Sequence, residues 1–197
     1  MTFKRLCVFC GSNPGRHADY AVAAQLVGRT LAERGVGLVY GGGGIGLMGI
    51  AAQGAIEAGG EVIGVIPKAL FEREVAMPGL VDLRVVHNMH ERKALMADLS
   101  DGFLALPGGL GTFEELFEVL TWGQLGFHNK PAGVLNVRDY YTGIQAQLDH
   151  SVAEGFLHPA HRAAILVDSD LPTLLERMQR FEPANLDKWW INGDDVR

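Results

Sequence analysis

Near its centre the chain reads Leu104-Ala105-Leu106-Pro107-Gly108-Gly109-Leu110-Gly111-Thr112-Phe113-Glu114-Glu115, which predicts a buried strand, a glycine turn and then a helix. Glycines let the backbone approach a ligand closely, and the first turn of a helix presents free N–H groups with a partial positive charge. This combination is typical of an anion site, usually for phosphate. Glu115 adds a carboxylate within the first turn of the predicted helix.

Strand and helix patterns alternate along nearly the whole chain on either side of this segment. The predicted strands are residues 6–9, 37–40, 61–66, 82–87, 102–106, 132–137 and 164–167, and the predicted helices are 19–34, one ending near 58, 88–99, 113–125, 140–154 and 172–181. Several strands are continuously apolar, which indicates a parallel sheet covered on both faces. We therefore expect one α/β domain over residues 1–182, with a mostly parallel sheet and helices on both faces, and a tail over 183–197.

In a parallel sheet the loops that follow the strands all lie at one edge, where ligands bind. The loops that start at Gly11, Gly41, His87 and Pro107 are far apart in sequence. We predict that they converge at this carboxyl edge of the sheet.

The composition of the chain argues against nucleic acid polymers and membranes as partners. The chain has 197 residues and a net charge of −6, which argues against a nucleic acid polymer because its phosphates favour a basic surface. No apolar run reaches the roughly 18 residues of a membrane span, and the N-terminus leads directly into a strand rather than a signal peptide. We expect a cytoplasmic protein with no membrane partner.

Two familiar motifs lack the context that their usual roles require. Cys7 and Cys10 have C-x-x-C spacing, but positions three apart in a strand face opposite ways, which favours buried structural thiols over a redox or metal role. The run Gly44-x-Gly46-x-x-Gly49 matches a dinucleotide fingerprint without the acidic residue expected about 20 positions later. A second backbone cradle, or close packing of helix on sheet, explains these glycines better. We predict no cofactor and no metal.

Thr112 and Glu115 allow two interpretations. Their spacing matches a capping box with Thr112 as the N-cap. Alternatively, Glu115 serves the anion site, because the apolar residues share one helix face and leave this carboxylate nearly opposite the core. Those apolar residues are Phe113, Leu116, Phe117 and Leu120. Trp122 lies on the side of Glu115, away from the apolar face, which favours a subunit interface near the site.

Residues 88–93 open another predicted helix, and Asn88 with Glu91 resembles an N-terminal cap. Arg92 and Lys93 then lie near a helix N-terminus, where a cation is disfavoured by up to about 1 kcal/mol. A placement that breaks a local rule indicates a functional site. A solvated charge pair, partly offset by Glu91, would also account for it.

The run Pro107-Gly108-Gly109-Leu110-Gly111-Thr112-Phe113-Glu114-Glu115 resembles the P-G-G-x-G-T-x-x-E motif of the LOG family, the cytokinin riboside 5′-monophosphate phosphoribohydrolases, often mislabelled as lysine decarboxylases. The resemblance spans about residues 5–181. Further matching motifs are Cys10-Gly11-Ser12, the glycine run 42–49, Val65-Ile66-Pro67, Met89-x-x-Arg92-Lys93 and Thr121-Trp122-x-Gln124-Leu125-Gly126.

The resemblance implies a Rossmann-like three-layer fold and a homodimer with its active site near the subunit interface. It implies hydrolysis of the N-glycosidic bond of adenosine 5′-monophosphates, including N6-substituted ones, to free base (a cytokinin) and ribose 5-phosphate. Arg92 and Glu115 match the family's catalytic residues. The substrate-binding positions implied by the motifs are Ser12, Gly43, Gly44, Glu74, Met89, Lys93, Gly108, Gly109, Leu110, Gly111, Thr112, Phe113, Glu114 and Thr121.

The residues and the resemblance indicate the same chemistry. Cleavage of an N-ribosyl bond passes through an oxocarbenium-like state, which the Glu115 carboxylate would stabilise. The 5′-phosphate would rest on backbone N–H groups of residues 108–112, and Arg92 would hold a substrate oxygen or assist the departing base. Two alternatives stay open: a nucleosidase for AMP or for nucleotide 5′-monophosphates in general, and a non-catalytic carrier of a nucleotide or of the molybdenum cofactor.

Overall fold

The computed structural model of the chain describes residues 2–71, 76–77 and 79–183. Within these ranges the strands are β1 (Arg5–Phe9), β2 (Gly37–Tyr40), β3 (Val62–Pro67), β4 (Asp82–Val86), β5 (Phe103–Ala105), β6 (Ala132–Leu135) and β7 (Ile165–Asp168). The helices are α1 (Ala18–Glu33), α2 (Gly46–Glu57), α3 (Lys68–Phe71), α4 (Met89–Asp98), α5 (Leu110–Gln124), α6 (Thr142–Ala153), α7 (Pro159–Ala163) and α8 (Leu171–Gln179), with a 3-10 turn at Val137–Asp139. The strands form one sheet in the order β4-β3-β2-β1-β5-β6-β7, and every neighbouring pair is parallel.

The alternation of side chains along β1 shows how the sheet separates two apolar layers. Leu6, Val8 and Cys10 pack in the core cluster that α1, α2 and α8 cover. Cys7 and Phe9 face the other way, toward the layer of α4, α5 and α6. The predicted three-layer α/β fold is therefore confirmed. The two cysteines are buried free thiols in different clusters, as the period of a strand predicts.

Helix α5 begins three residues earlier than the sequence pattern predicts. Its N-cap is Gly109, and no side chain caps it, so the capping box headed by Thr112 is wrong. Thr112 is instead buried in the first turn, with 4% of its surface exposed. Thr112 is buried because its side chain packs directly beneath Gly108, where any Cβ would collide with it.

The buried face of α5 also differs from the predicted one. Val119 is buried, at 3% exposure, whereas Phe117 is 38% exposed. Glu115 is half-buried at the border of this face rather than opposite the core, and Trp122 packs against the cluster that contains Cys7. Apolar residues cover a wide arc of this helix, so the sheet, and not the pattern alone, selects the part that is buried.

Two smaller departures concern the connections. Residues 68–81, which show no clear period, contain the short helix α3, and the unpredicted helix α7 precedes β7. Glu74 and residues 184–197, which make up most of the predicted tail, lie outside the described residues. Within the described ranges, every helix is too short or too polar to span a lipid bilayer.

The strand order reverses between β1 and β5, which is the point where open α/β sheets bind ligands. A pocket of about 280 Å³ lies there between the loop that follows β1 and the turn that follows β5. It is lined by Gly11, Ser12, Asn13, Pro14, Gly15, Tyr20, Leu47, Pro107, Gly108, Gly109 and Tyr140. The fold thus brings the predicted anion site to the switch point of the sheet.

Candidate active site at the carboxyl edge of the sheet

Hydrogen bonds join the loops that were predicted to converge. The amide of Gly11 donates to the carbonyl of Pro107 at 3.1 Å, and the amide of Leu47 donates to the carbonyl of Gly11 at 2.9 Å. Nη2 of Arg92 donates to the carbonyl of Gly41 at 3.0 Å. These three bonds connect the segments that follow β1, β2, β4 and β5, so the predicted convergence is confirmed.

The glycine turn leads into the N-terminus of α5 as predicted. Leu110, Gly111 and Thr112 are the first three helical residues, whose N–H groups have no acceptor within a helix. Gly108 must lack a side chain, because a Cβ there would lie 2.8 Å from the amide nitrogen of Gly11. The turn therefore presents backbone donors at the N-terminus of α5, in a form that suits an anion.

The first turn of α4 is held by reciprocal caps. The side chain of Asn88 accepts from the amide of Glu91 at 2.9 Å, and the carboxylate of Glu91 accepts from the amide of His87 at 2.9 Å. The predicted N-terminal cap is confirmed. It anchors the segment from which Arg92 and Lys93 project.

Arg92 is a buried cation, and the N–H of its Nε is not used in a hydrogen bond to any described residue. The residue is 5% exposed, its Nη2 contacts the second glycine loop, and its Nη1 lies 3.6 Å from the sulfur of Met89. Its Nε is buried and has no hydrogen-bond partner among the described residues. A buried charged group that keeps an unused N–H is costly, so this N–H is available to an acceptor that binds there.

Glu115 lies on α5 within electrostatic range of two buried thiols. Burial raises the pKa of both Cys7 and Cys10, and the Glu115 carboxylate raises it further, while Arg92 opposes the rise at Cys7. Both thiols therefore stay neutral.

Lys93 cross-links α4 and α5. Its ammonium donates to Glu114 and, at 2.8 Å, to Oε1 of Glu118, and only 10% of its side chain is exposed. Burial by itself lowers the pKa of Lys93, but the hydrogen bonds to the two carboxylates outweigh this and raise it. Two predicted substrate-binding residues, Lys93 and Glu114, are thus paired with each other. Sequence reasoning missed Glu118, although it lies one helical turn after Glu114.

The remaining predicted binding residues divide into those near the pocket and those elsewhere. Ser12 and Gly109 line the pocket, and the buried Gly43 forms an isolated bridge with Ala76. Gly44, in the loop that follows β2, is half-buried, and Leu110 is 86% exposed.

Thr121 is not brought to the glycine turn. It lies nine residues beyond Thr112 on α5, about 14 Å along the helix axis at 1.5 Å per residue. Its hydroxyl donates to the carbonyl of Phe117 at 2.7 Å, and the residue borders a separate cavity of about 260 Å³ with His128 and Ile165.

Two tyrosines form a wall of the switch-point pocket that the sequence reasoning missed. Tyr20 comes from α1 and Tyr140 from the turn after β6, and their rings meet edge to face with centroids 6.0 Å apart. Phe113, one of the predicted binding residues, stacks on Tyr140 at 6.3 Å. The available signal was the position of Tyr140 shortly after a strand, which places it at the carboxyl edge. In the ranges that the structure describes, no group of three or more His, Cys, Asp or Glu residues is arranged to hold a metal ion.

Comparison with known proteins identifies the family to which the chain is related. A family model described as "Possible lysine decarboxylase" matches residues 48–178. A probable cytokinin riboside 5′-monophosphate phosphoribohydrolase of Oryza sativa subsp. japonica is 49% identical over 181 residues, covering 92% of this chain and 74% of the relative. A cytokinin riboside 5′-monophosphate phosphoribohydrolase of Arabidopsis thaliana is 48% identical over 183 residues, covering 93% of this chain and 86% of the relative.

Solved structures resemble the fold. The X-ray structure of the structural-genomics target TM1055 has a TM-score of 0.70 at 22% identity, over 90% of this chain and 99% of that one. The molybdenum cofactor carrier protein of Chlamydomonas reinhardtii has a TM-score of 0.67 at 21% identity, over 90% of this chain and 98% of that one. At these identities the likeness concerns the fold alone. The family match and the plant relatives show that the chain belongs to the LOG family, whose curated members are named cytokinin riboside 5′-monophosphate phosphoribohydrolases.

Proposed function

We propose that this protein is an N-glycosyl hydrolase that acts on N6-substituted adenosine 5′-monophosphates. Water adds to C1′ of the ribose, the bond from C1′ to the base breaks, and the products are the free base, a cytokinin, and ribose 5-phosphate. The names of plant relatives at 46–49% identity support this activity. The observation that carries it is the buried Arg92, which contacts the loop after β2 and whose Nε has no hydrogen-bond partner among the described residues.

In this proposal each group has a role set by its charge and position. The N–H groups of residues 108–112 bind the 5′-phosphate, which anchors the ribose. Glu115 stabilises the positive charge that develops near C1′ and orients the attacking water. Arg92 donates its spare N–H to a substrate oxygen or to the departing base.

The proposal places Lys93 and Glu114 in a supporting role, because they are already ion-paired to one another. It keeps the other motif positions, including Thr121 and Glu74, as binding residues. We also propose a cytoplasmic homodimer with the site near the interface. The outward side of α5 supports the interface, since Phe117 at 38% exposure and Leu125 at 43% flank Thr121 there.

The direct test is release of free base, read by chromatography, from N6-isopentenyl-AMP, AMP and adenosine. We expect N6-isopentenyl-AMP to be the best substrate and adenosine, which lacks the phosphate, to be the worst. Equal or faster release from AMP would favour the general nucleosidase. Nucleotide binding without any release would favour a carrier.

Substitution of Glu115 tests the chemistry itself. Glu115→Gln keeps the size of the side chain and removes its charge, so we expect kcat to fall at least about a hundredfold while ribose 5-phosphate still binds. Glu176→Gln, at an exposed position on α8, is the matched control and should leave kcat unchanged. Full activity of Glu115→Gln would refute the assignment.

A further inference from the structure

Two carbonyl groups of the glycine turn are held by other loops. The carbonyl of Pro107 accepts from the amide of Gly11 at 3.1 Å. The carbonyl of Gly108 accepts from the hydroxyl of Tyr140. Both peptide units of the turn are therefore tied through their oxygen atoms, one to the loop after β1 and one to the turn after β6.

This tethering determines where the nitrogen atoms point. In a planar trans peptide the N–H of the following residue is directed opposite to the C=O. The N–H of Gly108 therefore points away from Gly11, and the N–H of Gly109 points away from the hydroxyl of Tyr140. Gly109 is the N-cap of α5, so its N–H precedes the free donors of the first helical turn.

Tyr140 is 39% exposed, but contacts position both its ring and the backbone that precedes it. The two residues before it, Arg138 and Asp139, have φ values of 53° and 57°, which non-glycine residues rarely adopt. Arg138 is paired with Asp19 of α1 at 2.7 Å, and the ring of Tyr140 packs between Tyr20 and Phe113. An unfavourable backbone persists when its surroundings impose it, and such turns concentrate at functional sites.

We propose that Tyr140 is a positioning residue, whose hydroxyl locks the glycine turn so that its N–H groups are aimed at the 5′-phosphate of the substrate. The inference rests on the proposed function and assigns a role to a residue outside the family motif. Tyr140 acts through the backbone, so its loss should weaken phosphate recognition and leave the chemical step almost unchanged.

Tyr140→Phe tests this role, because it removes the hydroxyl and keeps the ring. We expect the KM for N6-isopentenyl-AMP to rise about tenfold, which corresponds to about 1.4 kcal/mol, with kcat within about twofold of the unaltered protein. The Kd of ribose 5-phosphate, measured by calorimetry, should rise by the same factor. Slow cleavage of adenosine should not change, since adenosine carries no phosphate.

Tyr141→Phe is the matched control. Its hydroxyl also donates to a carbonyl, that of Leu106 at 2.7 Å, but Leu106 directly follows β5 and precedes the glycine turn. We expect Tyr141→Phe to lower Tm and to leave KM and Kd unchanged, which is the behaviour of a purely structural hydroxyl. An unchanged KM and Kd in Tyr140→Phe, or a fall in kcat alone, would overturn the inference.

Calorimetry separates this inference from the proposed function. Ribose 5-phosphate binding without turnover by the unaltered protein would remove the proposed function, and the comparison of Kd values would still decide the role of Tyr140. If the unaltered protein releases the base but binds no ribose 5-phosphate, the KM of Tyr140→Phe alone decides the role of Tyr140.

Discussion

Gly41 leaves the space that the guanidinium of Arg92 occupies, so Gly41→Ala should displace Arg92 by a distance that the structure gives. A Cβ at residue 41 would lie 1.9 Å from Nη2 of Arg92, whereas ordinary contacts begin near 3.4 Å. The guanidinium would therefore have to withdraw by about 1.5 Å, and a displacement of about 1 Å in a catalytic constellation costs on the order of a hundredfold. We expect kcat/KM for N6-isopentenyl-AMP to fall about a hundredfold in Gly41→Ala, or about 2.7 kcal/mol in the barrier.

The same substitution should cost little stability. The colliding atom is the far end of a long side chain, which can move without shifting the backbone. The change in Tm should stay below about 4 °C, the shift that about 1 kcal/mol produces in a protein of this size. Gly143→Ala is the control, since a Cβ at that helical glycine meets nothing within 4 Å, and it should leave kcat/KM unchanged and should not lower Tm.

A double-mutant cycle identifies the cause. If Gly41→Ala acts by displacing Arg92, then adding it to Arg92→Ala should cost no further activity, because residues in contact are not additive. Retention of kcat/KM within twofold in Gly41→Ala, or a full additional loss in the double mutant, would refute this reasoning.

The cross-link of Lys93 and the buried thiols give two further predictions. Lys93→Met should destabilise the protein, and Glu118→Gln should do so by about 1–3 kcal/mol because it removes the negative charge from one acceptor of the buried ammonium. The folded-state pKa of Lys93 is raised above 10.5, so the charged ammonium contributes its stability at lower pH. The difference in Tm between the unaltered protein and Lys93→Met should therefore be constant from pH 7 to 10 and should shrink as pH rises through the raised pKa. A difference that grows with pH would contradict this. Cys7 and Cys10 should not react with a thiol reagent in the native protein and should both react in denaturant, because burial raises the pKa of each; rapid labelling under native conditions would show that one of them is accessible.

The fold was predictable from local patterns, since strand alternation and continuous apolar runs depend on sequence neighbours. The pairing of Asn88 with Glu91 and the opposite orientation of the two cysteines follow from the same local rules. The convergence of the glycine loops was predictable as well, because parallel strands send their loops to one edge.

The errors arise where packing and backbone geometry, rather than the pattern of residue types, decide the outcome. The start of α5 depends on the packing of Thr112 beneath Gly108, and the buried face of α5 depends on the sheet, which buries Val119 and exposes Phe117. The role of Tyr140 depends on a left-handed turn at Arg138 and Asp139, which their residue types do not signal.

Helix α5 supplies both groups that the proposed reaction needs: the anion-binding N–H groups at its first residue, Leu110, and the carboxylate of Glu115 five residues farther along. Their separation along the axis, about 7.5 Å, is dictated by helical pitch rather than by how tightly the layers are packed. A change in the packing of the sheet would shift the donors and the carboxylate together, because both belong to the same helix. Discrimination between a 5′-monophosphate and an isomer phosphorylated elsewhere on the sugar should therefore persist in variants whose cores are loosened, up to the point at which they unfold.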